Sequence, residues 1–374
     1  AYFVASVRET HTHTHTYIYI YIYTTGVLYT NQELRDMVDE WIANHTNHRC
    51  GEVIGDWDVS RVTDMSYVFC SISGDSNCNT ARANFNEDLS GWNTSSVTSL
   101  EGTFGGATSF NSDISQWDTS SVTSLEDTFG GATSFNSDIS QWDTSSVTRL
   151  EGTFDGATSF NSDISQWDTS SVTSLYSTFY YARSFNSDIS QWNTSSVTSL
   201  VGTFYYATSF NSDISQWDTS SVTSLYYTFR YATSFNSDIS QWDTSSVENL
   251  EHTFYNARSF NSDISQWDTS SVGDMAYTFM EATSFNSDIS QWNTLRLESL
   301  YTTFAVAISF NRDISQWDVS SVTASHNVFF QVGLDTCNKK TIYDSWYMAI
   351  SNLDSSWASY SSYRDVCGVC GGDN

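Results

Sequence analysis

Ten tryptophans fall at 92, 117, 142, 167, 192, 217, 242, 267, 292 and 317, each 25 residues after the last. A register held this strictly constrains the fold more than any other feature, because a globular core has no use for a fixed long period. Around each tryptophan the unit reads F-N-x-D-[IL]-S-x-W-[DN]-[TV], followed in most copies by S-S-V-T-x-L-x-x-T-F-x-x-A. Ten copies run from Phe85 to about Phe330, and Trp57, Val62, Met65 and Phe69 announce a partial eleventh ahead of them. Trp57 and Trp92 stand 35 residues apart, so the first coil carries a ten-residue insertion. Self-similarity of this kind marks repeats that stack and bury one face on their neighbours.

Within one unit the candidate core is Phe110, Ile114, Trp117, Val122, Leu125, Phe129 and Ala132. Asp113-Ile114-Ser115 reads as a short strand, with a β-branched centre suited to a pleated ladder. Val122, Leu125, Phe129 and Ala132, spaced three, four and three apart, predict a short helix led by Ser120-Ser121 as N-cap. Eleven such coils at a strand-like spacing of about 4.8 Å would make a stack roughly 50 Å long.

The run F-N-x-D-I-S-x-W-D-[TV]-S-S-V-T-x-[LM]-x-x-x-F-x-x-A, from about Gly55 to Phe330, resembles the BspA-type leucine-rich-repeat surface proteins. Phe104, Phe129 and Phe154 match that family's aromatic before x-x-[AC], and Met65 and Met275 match its methionine directly. Leu100 and Leu125 depart from the methionine usual there. The resemblance implies a curved α/β solenoid, secretion or surface display, adhesive or binding roles, and no catalytic residues. The expected fold class is therefore α/β: a leucine-rich-repeat-like right-handed solenoid of about eleven coils with helical caps at both ends. Its parts would be a low-complexity segment (1–26), an amino-terminal cap (27–54), the solenoid (55–332), a carboxy-terminal cap (333–366) and the start of a cysteine-rich motif (367–374).

Both caps have helical signatures. Thr30-Asn31-Gln32-Glu33 is a capping box, followed by Leu34, Met37, Val38, Trp41 and Ile42 at helical spacing. Thr341 to Ile350 predicts a second helix, with Ile342, Trp346 and Ile350 as its buried side. The tract HTHTHTYIYIYIY over residues 11–23 admits three readings: translated dinucleotide repeats, an edge strand, or a zinc ligand set of alternating histidines. Beginning at Ala1 without a signal-peptide pattern, the sequence reads as a processed or excised piece.

Cysteine placement points to an oxidising compartment. Cys70 and Cys78 bracket the inserted loop, and Cys337 and Cys367 flank the carboxy-terminal cap, so these two disulfides are expected, while Cys50 and Cys370 stay open. Asn44, Asn93 and Asn193 stand in glycosylation sequons. With 14 Lys+Arg against 43 Asp+Glu, the net charge of -29 argues against nucleic acid and anionic membranes as partners. No run of 18 apolar residues offers a membrane span. The 39% hydrophobic and 16% aromatic content is too rich for a disordered acidic tail.

Two acidic columns recur. Asp88 through Asp313 is unbroken over ten copies, while the position after the tryptophan exchanges Asp58, Asp118 and Asp143 for Asn93, Asn193 and Asn293. Exchange between Asp and Asn suggests a hydrogen-bonded turn. The unbroken column repels itself and needs an offset, from backbone donors, raised pKa values or divalent cations. Calcium on Asp113, Asp138, Asp163 and Asp188 is the weak metal option; no other cofactor is implied.

Against this frozen frame, the residues flanking each Thr-Phe vary. Glycines at 102, 105 and 106 give way to Tyr180, Tyr181, Tyr205, Tyr206, Tyr226, Tyr227, Tyr231 and Tyr255. Equivalent positions stack, so these tyrosines should gather in one stripe, suited to holding a protein or glycan partner. The expected role is an extracellular recognition or adhesion module, not an enzyme. The alternative is a structural subunit of a coat or filament, built by self-association.

Overall fold

The computed structural model describes residues 5–12, 15–22, 27–46, 48, 50–347 and 349–350. At the amino terminus β1 (Ala5–Thr12) and β2 (His15–Ile22) pair antiparallel, Ala5 opposite Ile22. Of the alternating histidines, His13 lies outside the described residues. Helix α1 (Asn31–Ala43) follows, and its capping box is formed in both directions. Thr30 Oγ1 accepts from the Glu33 N–H at 3.2 Å, and Glu33 Oε2 accepts from the Thr30 N–H at 3.1 Å. Leu34, Met37, Val38 and Trp41 are buried and join the core of the first coil.

The inserted loop of that coil is tied to α1. Asp39 on the helix accepts from Arg82 Nε at 2.8 Å and from Asn79 Nδ2 at 2.9 Å. Arg82 is buried, and its Nη1 donates to the Tyr67 carbonyl. Cys70 and Cys78 form a disulfide across the base of the loop.

Between the ends the chain is a repeat protein with a periodic aromatic array. Trp117 through Trp267 stack on their successors with ring planes within 2° and centroids 6.3–6.5 Å apart. From Trp117 to Trp317 each indole Nε1 donates to the carbonyl 28 residues back, as Trp142 does to Ile114 at 3.1 Å. Thr128 Oγ1, fully buried, donates to Leu100 and Leu125 carbonyls at 3.0 and 2.8 Å. The buried indole and threonine donors of one coil are therefore satisfied by carbonyls of the coil before it and of their own.

The expected α/β content of the coil is corrected by this structure. Leu125, Asp127, Phe129 and Gly131 send their N–H groups to Arg149, Glu151, Thr153 and Asp155 in the next coil. The intervening Thr128, Gly130 and Ala132 bond back three residues. This is a chain of tight turns, not the predicted helix, and Asp127 and Gly131 have φ of 50° and 72°, which no right-handed helix contains. A three-four-three apolar spacing suits both arrangements, which is why the pattern misled. Asp113-Ile114-Ser115 is likewise no strand: Asp113 Oδ1 accepts from the Ser115 N–H at 2.9 Å and folds the segment into a turn. Ser120 does not cap a helix; its N–H and hydroxyl donate to Asp118 Oδ1. Coils meet through single parallel bridges such as Ser99 to Ser124.

Helix α2 (Thr336–Trp346) closes the other end. It starts five residues before the predicted Thr341, because Asp335 is its N-cap, accepting from the Asn338 N–H at 2.8 Å. Trp346 stacks on Trp317 at 6.2 Å, so the last coil ends under an aromatic lid. Cys337 is disulfide-bonded; its expected partner Cys367 lies outside the described residues, as does the 367–374 motif.

Candidate functional site

The Asp columns are turn-forming. From Asp88 to Asp313 each carboxylate accepts from the backbone N–H two residues on, at 2.9–3.0 Å. Those bonds hold Asp138 and Asp188 below the ordinary carboxylate range. In the second column Asn93 and Asn193 accept from Ser95 and Ser195 in the geometry of Asp118. No group of three or more potential metal ligands forms among the described residues, and Asp113, Asp138, Asp163 and Asp188 are each engaged with serine. The three sequon asparagines, Asn44, Asn93 and Asn193, are exposed.

Four neighbouring columns carry the variation, and two of them are left-handed in backbone. One runs through Gly102, Asp127, Gly152, Ser177, Gly202, Tyr227, His252, Tyr277, Thr302 and Asn327; the other runs through Gly106, Gly131, Gly156, Tyr181, Tyr206, Tyr231, Asn256, Glu281, Val306 and Gln331. Six tyrosines among the described residues sit at φ near +60°, at Tyr67, Tyr181, Tyr206, Tyr227, Tyr231 and Tyr277. That conformation costs an L-residue about 1–2 kcal/mol and costs glycine nothing comparable.

The tyrosines form a ladder spread over these columns. Tyr181, Tyr206 and Tyr231 stack in succession, with centroids 4.5 and 4.1 Å apart. Beside them Tyr180 stacks on Tyr205 at 4.3 Å, and the column continues through Arg230 to Tyr255. The Arg230 guanidinium lies 4.7–5.4 Å from the ring centres of Tyr205, Tyr227, Tyr231 and Tyr255. Tyr226 and Tyr227 lie in the remaining two columns, 3.8 Å apart. All eight rings are half-buried, outside the framework core. Burial raises the pKa of Tyr180 and Tyr206, with Tyr181 adding to the first against a hydrogen bond with Tyr205, and Tyr231 adding to the second. Burial and then Arg230 lower His252 to about 4, so this ring is neutral at pH 7 where it stacks on Tyr277 at 4.3 Å.

Where glycine gives way to tyrosine, a groove of about 380 Å³ opens. Gly152, Ser177 and Gly202 line it along the first left-handed column. At one end stand Glu126, Asp127, Glu151 and Asp155; at the other stand Tyr176, Tyr180, Tyr226 and Tyr227. Burial, then the charge of Asp127, raises Asp155 to about 7. Arg230, His252 and these carboxylates were not among the predicted site residues. Their signal was present in the same variable slots, but only alignment of the columns brings Asp155 beside Tyr180.

A protein-family model matches residues 34–164, 76–187, 150–262, 173–288 and 223–346; it is described as Mycoplasma protein of unknown function, DUF285. The chain belongs to this family. The matches overlap across the whole repeat stack and reach into both α1 and α2, so family membership covers the ladder and the groove. No curated protein and no solved structure matches the chain. Among the described residues no helix is long and apolar enough to cross a membrane.

Proposed function

We propose that the chain is an extracellular recognition or adhesion module that holds a protein or glycan against its tyrosine ladder. In this reading the repeat stack is a right-handed, leucine-rich-repeat-like solenoid of the BspA-like kind. The observation that carries the proposal is the occupancy of the left-handed slots. Gly106, Gly131 and Gly156 meet the backbone geometry without strain, yet Tyr181, Tyr206 and Tyr231 occupy the same column at φ of 56–61°. The fold sets this left-handed conformation in each of these coils, and Asn256, Glu281, Val306 and Gln331 hold it too. What marks the middle coils is that half-buried, stacked tyrosines take slots that glycine fills without strain. Half-buried, mutually stacked tyrosines supply rigid contact area at low entropic cost. The Cys70–Cys78 disulfide supports an extracellular setting, and the exposed sequons suit a glycoprotein.

The test is binding of the fluorescently labelled protein to glycan and protein arrays, compared with a Tyr181→Ala/Tyr206→Ala variant. Loss of two central aromatic anchors should weaken any captured partner by at least about tenfold. Unchanged array binding by the folded variant would overturn the assignment. Polymers of the native protein that persist in the variant would favour a structural subunit instead.

A further inference from the structure

We infer that the groove between the acidic and aromatic coils is a receptor for an organic cation, a lysine or arginine side chain on a basic polypeptide partner. This deepens the recognition reading above and rests on it. One end of the groove carries negative charge that the protein itself leaves uncompensated. Arg149 pairs with Glu126 and reaches Glu101 at 3.7 Å, but among the described residues no ion pair reaches Asp127, Glu151 or Asp155. Oε2 of Glu151 is shut off from solvent and has no hydrogen-bond partner. An unsatisfied buried oxygen is a standing cost, which a turn of the Glu151 side chain toward a donor held in the groove would remove.

The other end supplies aromatic faces. Tyr176, Tyr180, Tyr226 and Tyr227 line the same cavity within a few residues of those carboxylates in the stacked register. Carboxylates together with ring faces select an organic cation, since the ring quadrupole attracts positive charge and the carboxylate accepts its N–H groups. The protein holds one such cation already: the guanidinium of Arg230 rests among four tyrosine rings in the adjoining columns. A bare metal ion fits less well, because no set of three or more candidate ligands converges among the described residues. A neutral sugar would cover this acidic group of residues without supplying positive charge. The net charge of -29 favours approach of a basic partner and opposes approach of a second copy of the chain.

A fluorescent tetra-arginine peptide tests this directly, with tetra-citrulline as the uncharged isostere, read by anisotropy at about 150 mM salt. The groove variant is Asp127→Asn/Glu151→Gln/Asp155→Asn. Its control is Asp143→Asn/Asp168→Asn/Asp218→Asn, which removes the same number of carboxyl groups, and at least as much charge, at positions where sister coils already carry asparagine. The wild type should prefer arginine over citrulline by more than about tenfold; the groove variant should lose about tenfold and the control less than about twofold. No preference for arginine, or equal losses in both variants, would overturn the inference, the latter assigning binding to the general acidic field. Tyr180→Leu, which leaves the charge intact, should also weaken the peptide, and unchanged affinity would overturn the aromatic half. Array binding that falls in Tyr181→Ala/Tyr206→Ala but survives in the groove variant would sink this inference alone; array binding unmoved by either would sink the recognition reading too.

Discussion

Replacing Tyr206 by alanine and by glycine separates the strain in the ladder from its stacking. Tyr206 has a φ of 57° and lies between Tyr181 and Tyr231, at 4.5 and 4.1 Å. Each aromatic pair contributes about 0.5–1.5 kcal/mol, so removing both costs about 1–3 kcal/mol in either variant. Alanine keeps the left-handed penalty of about 1–2 kcal/mol, whereas glycine does not incur it. Tyr206→Gly should therefore be more stable than Tyr206→Ala by about 1 kcal/mol, although glycine is ordinarily the worse of the two by about 0.5–1 kcal/mol. Denaturant midpoints followed by tryptophan emission give the order, and hydrogen exchange in the coil around Tyr206 localises it, since repeat stacks open locally. Alanine equal to or better than glycine would refute the strain argument and with it the reason for reading the ladder as functional.

Other outcomes follow from single contacts. Asp143→Asn should leave stability within about 0.5 kcal/mol, while Asp143→Ala should lose about 1 kcal/mol by thermal denaturation, because the acceptor to Ser145 is what the turn uses. Arg82→Ala should cost about 1–3 kcal/mol and loosen α1, since the buried guanidinium ties the partly exposed Asp39, which keeps Asn79 as a donor, to the Tyr67 carbonyl; hydrogen exchange over Asn31–Ala43 reads this. Asp155 takes up a proton more readily folded than unfolded, so its contribution to stability is present below pH 4 and is lost as pH rises through about 7. Asp155→Asn should thus gain stability relative to wild type between pH 4 and pH 8, by at most about 4 kcal/mol, and a pH-independent difference would contradict the assignment.

The period, the buried columns and the amino-terminal cap were legible because each is a spacing of apolar residues or a local capping pattern. Phe110, Ile114, Trp117, Val122, Leu125, Phe129 and Ala132 are all buried as their spacing implied. The backbone between them was not legible: a helix and a run of three-residue turns bury the same positions, and only the glycines at 102, 106, 131, 152, 156 and 202 hinted at a left-handed residue twice per coil. The asparagine ladder, in which Asn136 N–H donates to Asn111 Oδ1 at 2.7 Å, likewise looked like an ordinary polar repeat. The start of α2 was missed because Asp335 lies ahead of the apolar pattern it caps. In the candidate site, the tyrosines stood out as departures from glycine, but their division into four columns, the Arg230 cage and the acidic end of the groove depend on which residues share a level of the stack.

The ladder as a recognition surface is tested most directly by side-chain footprinting of tyrosines, with hydroxyl radicals, on the protein alone and bound to a partner captured on the arrays. Tyr181, Tyr205, Tyr206 and Tyr231 should lose reactivity on binding, while Tyr29 and Tyr347, exposed at 49% and 55% near the two caps, should react as before. Protection of Tyr29 or Tyr347 with the ladder unchanged would place the partner on the caps and contradict the assignment.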